Sequence, residues 1–116
     1  MSKTIETGRF GEDLAAAFLE EQGFKIVARN FRYGHAEIDL IARRAQWMLF
    51  IEVKTRSSSA YGEPEDFVSH SQGRRIMAAA EEYIFKVDWQ GHIRFDVVSV
   101  TLGNPPRIVH FEDAIN

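Results

Sequence analysis

Two apolar strand patterns, EIDLIAR (residues 37–43) and WMLFIEVKT (47–55), stand so close along the chain that residues 43–46 must join them as a tight connection. A link this short permits only antiparallel pairing, since a parallel return needs a crossover of a dozen or more residues. Side chains alternate across a strand, so Met48, Phe50, Glu52 and Lys54 are expected on one face of the later strand. Leu49, Ile51 and Val53 take the other. On the earlier strand Glu37 and Asp39 share a face, with Ile38, Leu40 and Ala42 opposite. Asp39 and Glu52 then become direct or diagonal neighbours across the ladder.

This juxtaposition admits two readings. In the first, the charges line the wet face of an amphipathic hairpin and Lys54 pairs Asp39 or Glu37, at a gain of at most about 1 kcal/mol. In the second, the two carboxylates hold a hard divalent cation. Oxygen donors without imidazole or thiolate suit Mg2+ or Mn2+, and Met48 and Phe50 on the same face imply that it is partly covered. The acid-x-lysine tripeptide decides nothing by itself, because about one is expected by chance in a chain this long.

The remaining segments surround the hairpin. An apolar stripe of Phe10, Leu14, Ala15, Ala17 and Phe18 predicts a helix over 5–22, with Glu12, Asp13, Glu20 and Glu21 outside and Gly23 as its stop. FKIVARNF (24–31) reads as a strand and RYGHA as a turn. A second helix is expected over 69–87, with Ser69 or Ser71 as N-cap and Ile76, Ala79, Ala80, Tyr83, Ile84 and Val87 inward. HIRFDVVSVT (92–101) and RIVHF (107–111) read as the last strands. Between the third strand and second helix, RSSSAYGEPED (56–66) reads as a mobile loop, where Tyr61 is either an anchor or a base-stacking residue. The order is α-β-β-β-α-β-β, in one α/β domain spanning residues 1–116.

Composition narrows the functional classes. With 45% hydrophobic and 27% charged residues the chain is neither disordered nor membrane-like, and its longest apolar runs, such as 47–51, cannot span a bilayer. The N-terminus lacks a secretory apolar region, so a cytoplasmic protein is expected. Without cysteine there is no disulfide, thiolate zinc site or cysteine nucleophile. His35, His70, His92 and His110 lack ligand spacing, and neither a Walker loop nor a G-x-S-x-G elbow is present. Net charge is −3, yet residues 25–56 carry seven basic and three acidic groups, a local excess of +4. That third of the chain would welcome a phosphate backbone.

EIDLIAR followed by FIEVKTR resembles the core of the PD-(D/E)XK nuclease superfamily, a carboxylate on one strand and (D/E)-x-K on the next. More closely, GRFGEDLAAAFLEEQGFKIVARNFR, EIDLIA, FIEVKTR, GEPEDFV and RFDVVSV, in this order, resemble the YraN-like family of small bacterial proteins. The resemblance covers about residues 8–101. It implies a restriction-endonuclease-like fold, a mixed central sheet flanked by helices, similar to archaeal Holliday junction resolvases. It also implies a metal-dependent endonuclease acting on DNA, with branched or repair-intermediate DNA as the expected substrate and a homodimer suiting such a substrate. The alternative is a non-catalytic nucleic-acid-binding or repair-adaptor protein that keeps the fold.

Carried over by residue, the resemblance makes Asp39 and Glu52 ligands for Mg2+ or Mn2+, with the Val53 carbonyl as a third. Lys54 would orient or deprotonate the attacking water. Glu12 matches an acid that resolvase-like members bring from the first helix, against the plain reading of an exposed helical Glu. Glu37 would position Lys54 or a basic neighbour. Two positions depart from the family pattern: Ala36 replaces a usual Gly, which bears on the turn, and Gln72 replaces a frequent Lys, which removes a basic contact. Arg29, Arg32, Arg56, Arg74 and Arg75 are the candidate phosphate contacts, suited to DNA shape more than sequence.

Overall fold

The computed structural model describes residues 3–57 and 68–115, with side chains from Gly8 onward. Helix α1 (Lys3–Glu21) leads into strands β1 (Lys25–Tyr33), β2 (Ala36–Arg44) and β3 (Trp47–Arg56). Helix α2 (His70–Val87) carries the chain over to β4 (His92–Thr101) and β5 (Arg107–Phe111). The expected α-β-β-β-α-β-β order is borne out, with element ends shifted by no more than a few residues. The five strands form one open sheet in the order β1-β2-β3-β4-β5. β1, β2 and β3 are successively antiparallel, β3 and β4 are parallel, and β4 and β5 antiparallel. The parallel pair needs the crossover that α2 provides.

Local chemistry sets the helix ends. Gly23 adopts φ 90° after α1, a left-handed turn that glycine takes without steric cost. There the Gly23 amide reaches Glu20 O and the Phe24 amide reaches Leu19 O, both at 3.0 Å. At the start of α2, Ser69 is the N-cap and its side chain accepts from the Gln72 amide at 3.1 Å. The predicted loop at 56–66, Tyr61 included, lies outside the described residues apart from Arg56 and Ser57.

Each helix covers one face of the sheet. Under α2 lie Ile38, Ile41, Met48, Phe50, Val97 and the inward residues Ile76, Ala79, Ala80 and Tyr83. Under α1 lie Leu40, Ala42, Leu49, Ile51, Val98 and Val100, with Ala15, Ala16 and Leu19. The expectation that Met48 and Phe50 mark a covered face is borne out, and the cover is complete at these two: they are 3% and 0% exposed, because α2 packs on them. The stripe predicted for α1 is rotated. Phe10 is 54% exposed and Ala17 is exposed, whereas Gly11, Ala15, Ala16 and Leu19 face inward. Small residues let the helix axis approach the sheet, and at Gly11 a Cβ would overlap the Thr55 side chain. Similarly, Val87, expected inward, ends α2 at 44% exposure.

Alternation in β2 breaks where the hairpin reading assumed it would continue. Ile38 and Ile41 pack on the α2 face, while Leu40 and Ala42 pack on the α1 face. Ile38 therefore does not share a face with Leu40 and Ala42. The interruption falls at Asp39. Opposite it in β1, Asn30 sits at φ 52° between the pairs Arg29↔Leu40 and Phe31↔Ile38. The β2–β3 ladder ends here too, at Leu40↔Ile51, while β3 continues beside β4 as far as Arg56.

Candidate metal centre

Where β2 parts from β3, the Val53 amide loses its strand partner, and Asp39 replaces it. Val53 N donates to Asp39 Oδ2 at 2.8 Å. The expected neighbourhood of Asp39 and Glu52 is present: both carboxyls line the same cleft, and Glu52 is 8% exposed. Burial, then the charge of Glu52 and the hydrogen bond to it, push the Asp39 carboxyl up to about 9. Asp39 therefore keeps its proton at neutral pH.

A second group of acids converges from the α1 side. Glu12, Glu37 and Asp39 each offer an oxygen within 4.8 Å of the others, so the trio could hold a metal ion. Glu12 is half-buried, which sets aside its reading as a plain exposed helical acid. Gly11 carries this consequence, since its close approach to Thr55 in β3 brings the next residue to the sheet. Asn30 Nδ2 bridges the acids, donating to Glu12 Oε1 at 3.1 Å and to Glu37 Oε1 at 3.2 Å. Burial raises the Glu12 carboxyl above its ordinary range; the Asn30 hydrogen bond opposes this and the charge of Glu37 reinforces it.

Lys54 does not pair Asp39 or Glu37. Its Nζ lies 3.2 Å from Glu52 Oε2, its neighbour two residues back on the same strand face. Gln72, from the first turn of α2, donates Nε2 to the same oxygen at 3.0 Å. The position expected to lose a basic contact is thus occupied by a neutral donor to the predicted ligand. Glu37 positions a basic neighbour, Arg32, at 2.9 Å. Ala36 lies outside the turn as β2's first residue, paired with Tyr33 and buried against the α2 side; the turn is Gly34 and His35.

A cleft of about 260 Å³ opens here, walled by His35, Ala36, Glu37, Asp39, Glu52, Gln72, Arg75 and Ile76. Of the five candidate arginines, only Arg75 lines it among the described residues. Arg29 pairs with Asp13 at 2.6 Å and Arg32 with Glu37 at 2.9 Å, both in exposed ion pairs. Arg56 is the last residue of β3, and Arg74 is exposed on α2.

His35 and Asn30 escaped the sequence reading. His35 sits at the cleft because the β1–β2 turn closes over it, which no ligand spacing reveals. Asn30 had a legible signal, an Asn within an apolar strand, the residue type that tolerates positive φ. A further buried carboxylate, Asp96, lies away from the cleft. It is 0% exposed and accepts from Arg94 at 3.0 Å and from the Asp113 amide at 2.9 Å, with His110 Nε2 at 2.7 Å. Burial would raise its carboxyl, but the hydrogen bonds from His110, Arg94 and Asp113 outweigh burial and hold it below the ordinary range. Asp96 is a satisfied structural acid, with the Phe18 ring packed edge-on against His110.

A family model described as "Uncharacterised protein family UPF0102" matches residues 11–100. The UPF0102 protein of Cytophaga hutchinsonii is 50% identical over 109 residues, covering 94% of this chain and 95% of its own. That of Rhodococcus opacus is 42% identical over 118 residues, covering 98% and 99%. That of Anaeromyxobacter dehalogenans is 46% identical over 117 residues, covering 94% and 83%.

Proposed function

The chain belongs to the UPF0102 family, which bears out the resemblance to the YraN-like proteins, and we propose that it is a metal-dependent endonuclease hydrolysing DNA phosphodiester bonds. Branched or repair-intermediate DNA is the substrate class this reading favours. The observation that carries it is the convergence of Asp39 from β2 with Glu52 and Lys54 from β3 at the opening of the ladder. Two adjacent, largely buried carboxyls are uncomfortable without a cation, and the elevated Asp39 carboxyl expresses that discomfort as a retained proton. The donor set is oxygen only, which suits Mg2+ or Mn2+.

Asp39 and Glu52 would hold the cation, with the Val53 carbonyl beside them and Glu12 and Glu37 within reach of Asp39. The chemistry a cation supplies there is charge neutralisation on the scissile phosphate and acidification of the attacking water. The protein's own groups do the rest. Lys54 orients the water and places a positive charge beside the developing phosphate charge. Arg75 and His35, on the cleft wall, bind phosphate oxygens and set the strand's path. A homodimer, with two clefts, would suit a substrate of twofold symmetry.

The test is incubation of purified protein with branched, nicked and single-stranded DNA and either Mg2+ or Mn2+, alongside Asp39→Ala and Lys54→Ala. Cleavage by wild type that both variants lose is the expected result. Cleavage surviving in both removes the site assignment. Binding without cleavage, across metals and substrates, favours the adaptor reading, to which the net charge of −3 and the neutral Gln72 lend support.

A further inference from the structure

We infer that Gln72 is a positioning residue that sets the orientation of the Glu52 carboxylate for cation binding; the inference rests on the metal reading of the cleft given above. Gln72 Nε2 and Lys54 Nζ converge on one oxygen of Glu52, Oε2, at 3.0 and 3.2 Å. The carboxylate is thereby held from two elements, α2 and its own strand. A glutamate otherwise has three side-chain torsions to set, the last of them broad, and ordering them on cation binding costs affinity.

The amide comes from a rigid place. The Gln72 backbone N–H is fixed by the N-cap Ser69 at 3.1 Å. One turn later Ile76, 2% exposed, anchors the same helix face in the core. A neutral donor also fits the task. It orients the carboxylate without cancelling its charge, whereas a lysine would set a second ammonium beside Lys54. Residues that orient a ligand from behind in this way typically govern metal affinity by about 10–100-fold.

The experiment is calorimetric titration with Mn2+ alone, on wild type, Gln72→Met and Glu52→Gln, with the melting temperature of each metal-free protein measured in parallel. Methionine keeps the side chain's length and removes the donor. Mn2+ affinity about 10–100-fold weaker in Gln72→Met, at an unchanged metal-free melting temperature, is the expected result. If Glu52→Gln loses binding while Gln72→Met matches wild type, the inference fails and the metal reading stands. Should wild type bind no Mn2+, or Glu52→Gln bind as tightly as wild type, the metal reading fails and the inference falls with it.

Discussion

Asp39 carries a proton that the unfolded chain would release at neutral pH, and that difference makes the residue's role measurable without any DNA. Folding takes up a proton wherever the pH lies between the ordinary carboxylate value of about 4 and the folded value of about 9. Because the folded state binds more protons, stability falls as pH rises across this window. Asp39→Asn, which stays neutral, should lose that dependence and melt at a higher temperature than wild type at pH 8 in EDTA, with the two converging toward pH 4. Parallel slopes across the window would contradict the burial described for Asp39. Asp96 behaves in the opposite sense. Its depressed carboxyl contributes stability present above the ordinary carboxylate value and lost as pH falls through the folded one. Asp96→Ala removes the acceptor shared by Arg94, His110 and the Asp113 amide, leaving Arg94 with Glu112 alone, and urea unfolding should register a loss of about 3 kcal/mol.

At the scale of elements, the helices place side chains that the strands cannot. α1 comes closest to Thr55 of β3 at Gly11, where a Cβ would lie about 2.8 Å from Thr55 Cβ and Cγ2. Gly11→Val should cost about 2 kcal/mol through overpacking and, by lifting α1, withdraw Glu12 from Asp39. Mn2+ affinity should then fall by more than the fold's own loss would dictate, which calorimetry on the folded fraction checks. α2 depends on its cap. Ser69→Ala removes the acceptor for the Gln72 amide and should lower stability by about 1 kcal/mol. Existence and type of both helices were readable from apolar spacing, yet their inward faces were not fully so. Bulk misleads at Phe10, because a helix lying close to a sheet turns its smallest residues inward.

For the molecule as a whole, the basic excess of residues 25–56 does not gather into one free patch. Arg29 and Arg32 are tied to Asp13 and Glu37, and Arg44 donates to Gln22 O at 2.7 Å while lying over Phe24. Among the described residues no helix is long and apolar enough to cross a membrane. If DNA enters the cleft, Arg75→Ala should weaken binding on every sequence alike and reduce the slope of log affinity against log salt by about 0.9. An unchanged slope would move the phosphate path elsewhere.

Sequence alone determined the element order, the antiparallel hairpin and the pairing of Asp39 with Glu52. Each follows from short-range rules: the period of apolar residues, the reach of a short connection and the alternation of strand side chains. The tertiary structure decided what those rules do not encode. Ile38 and Leu40 lie on opposite faces because Asp39 and Asn30 interrupt the alternation together, a matter of two strands and not of one. Glu12 joins the acids through a glycine contact with β3, and Gln72 meets Glu52 only after α2 has folded back over the sheet. FIEVKTR supplies Glu52 and Lys54, which pair with each other; Asp39 and Gln72 come from β2 and α2, brought near by packing around two apolar faces.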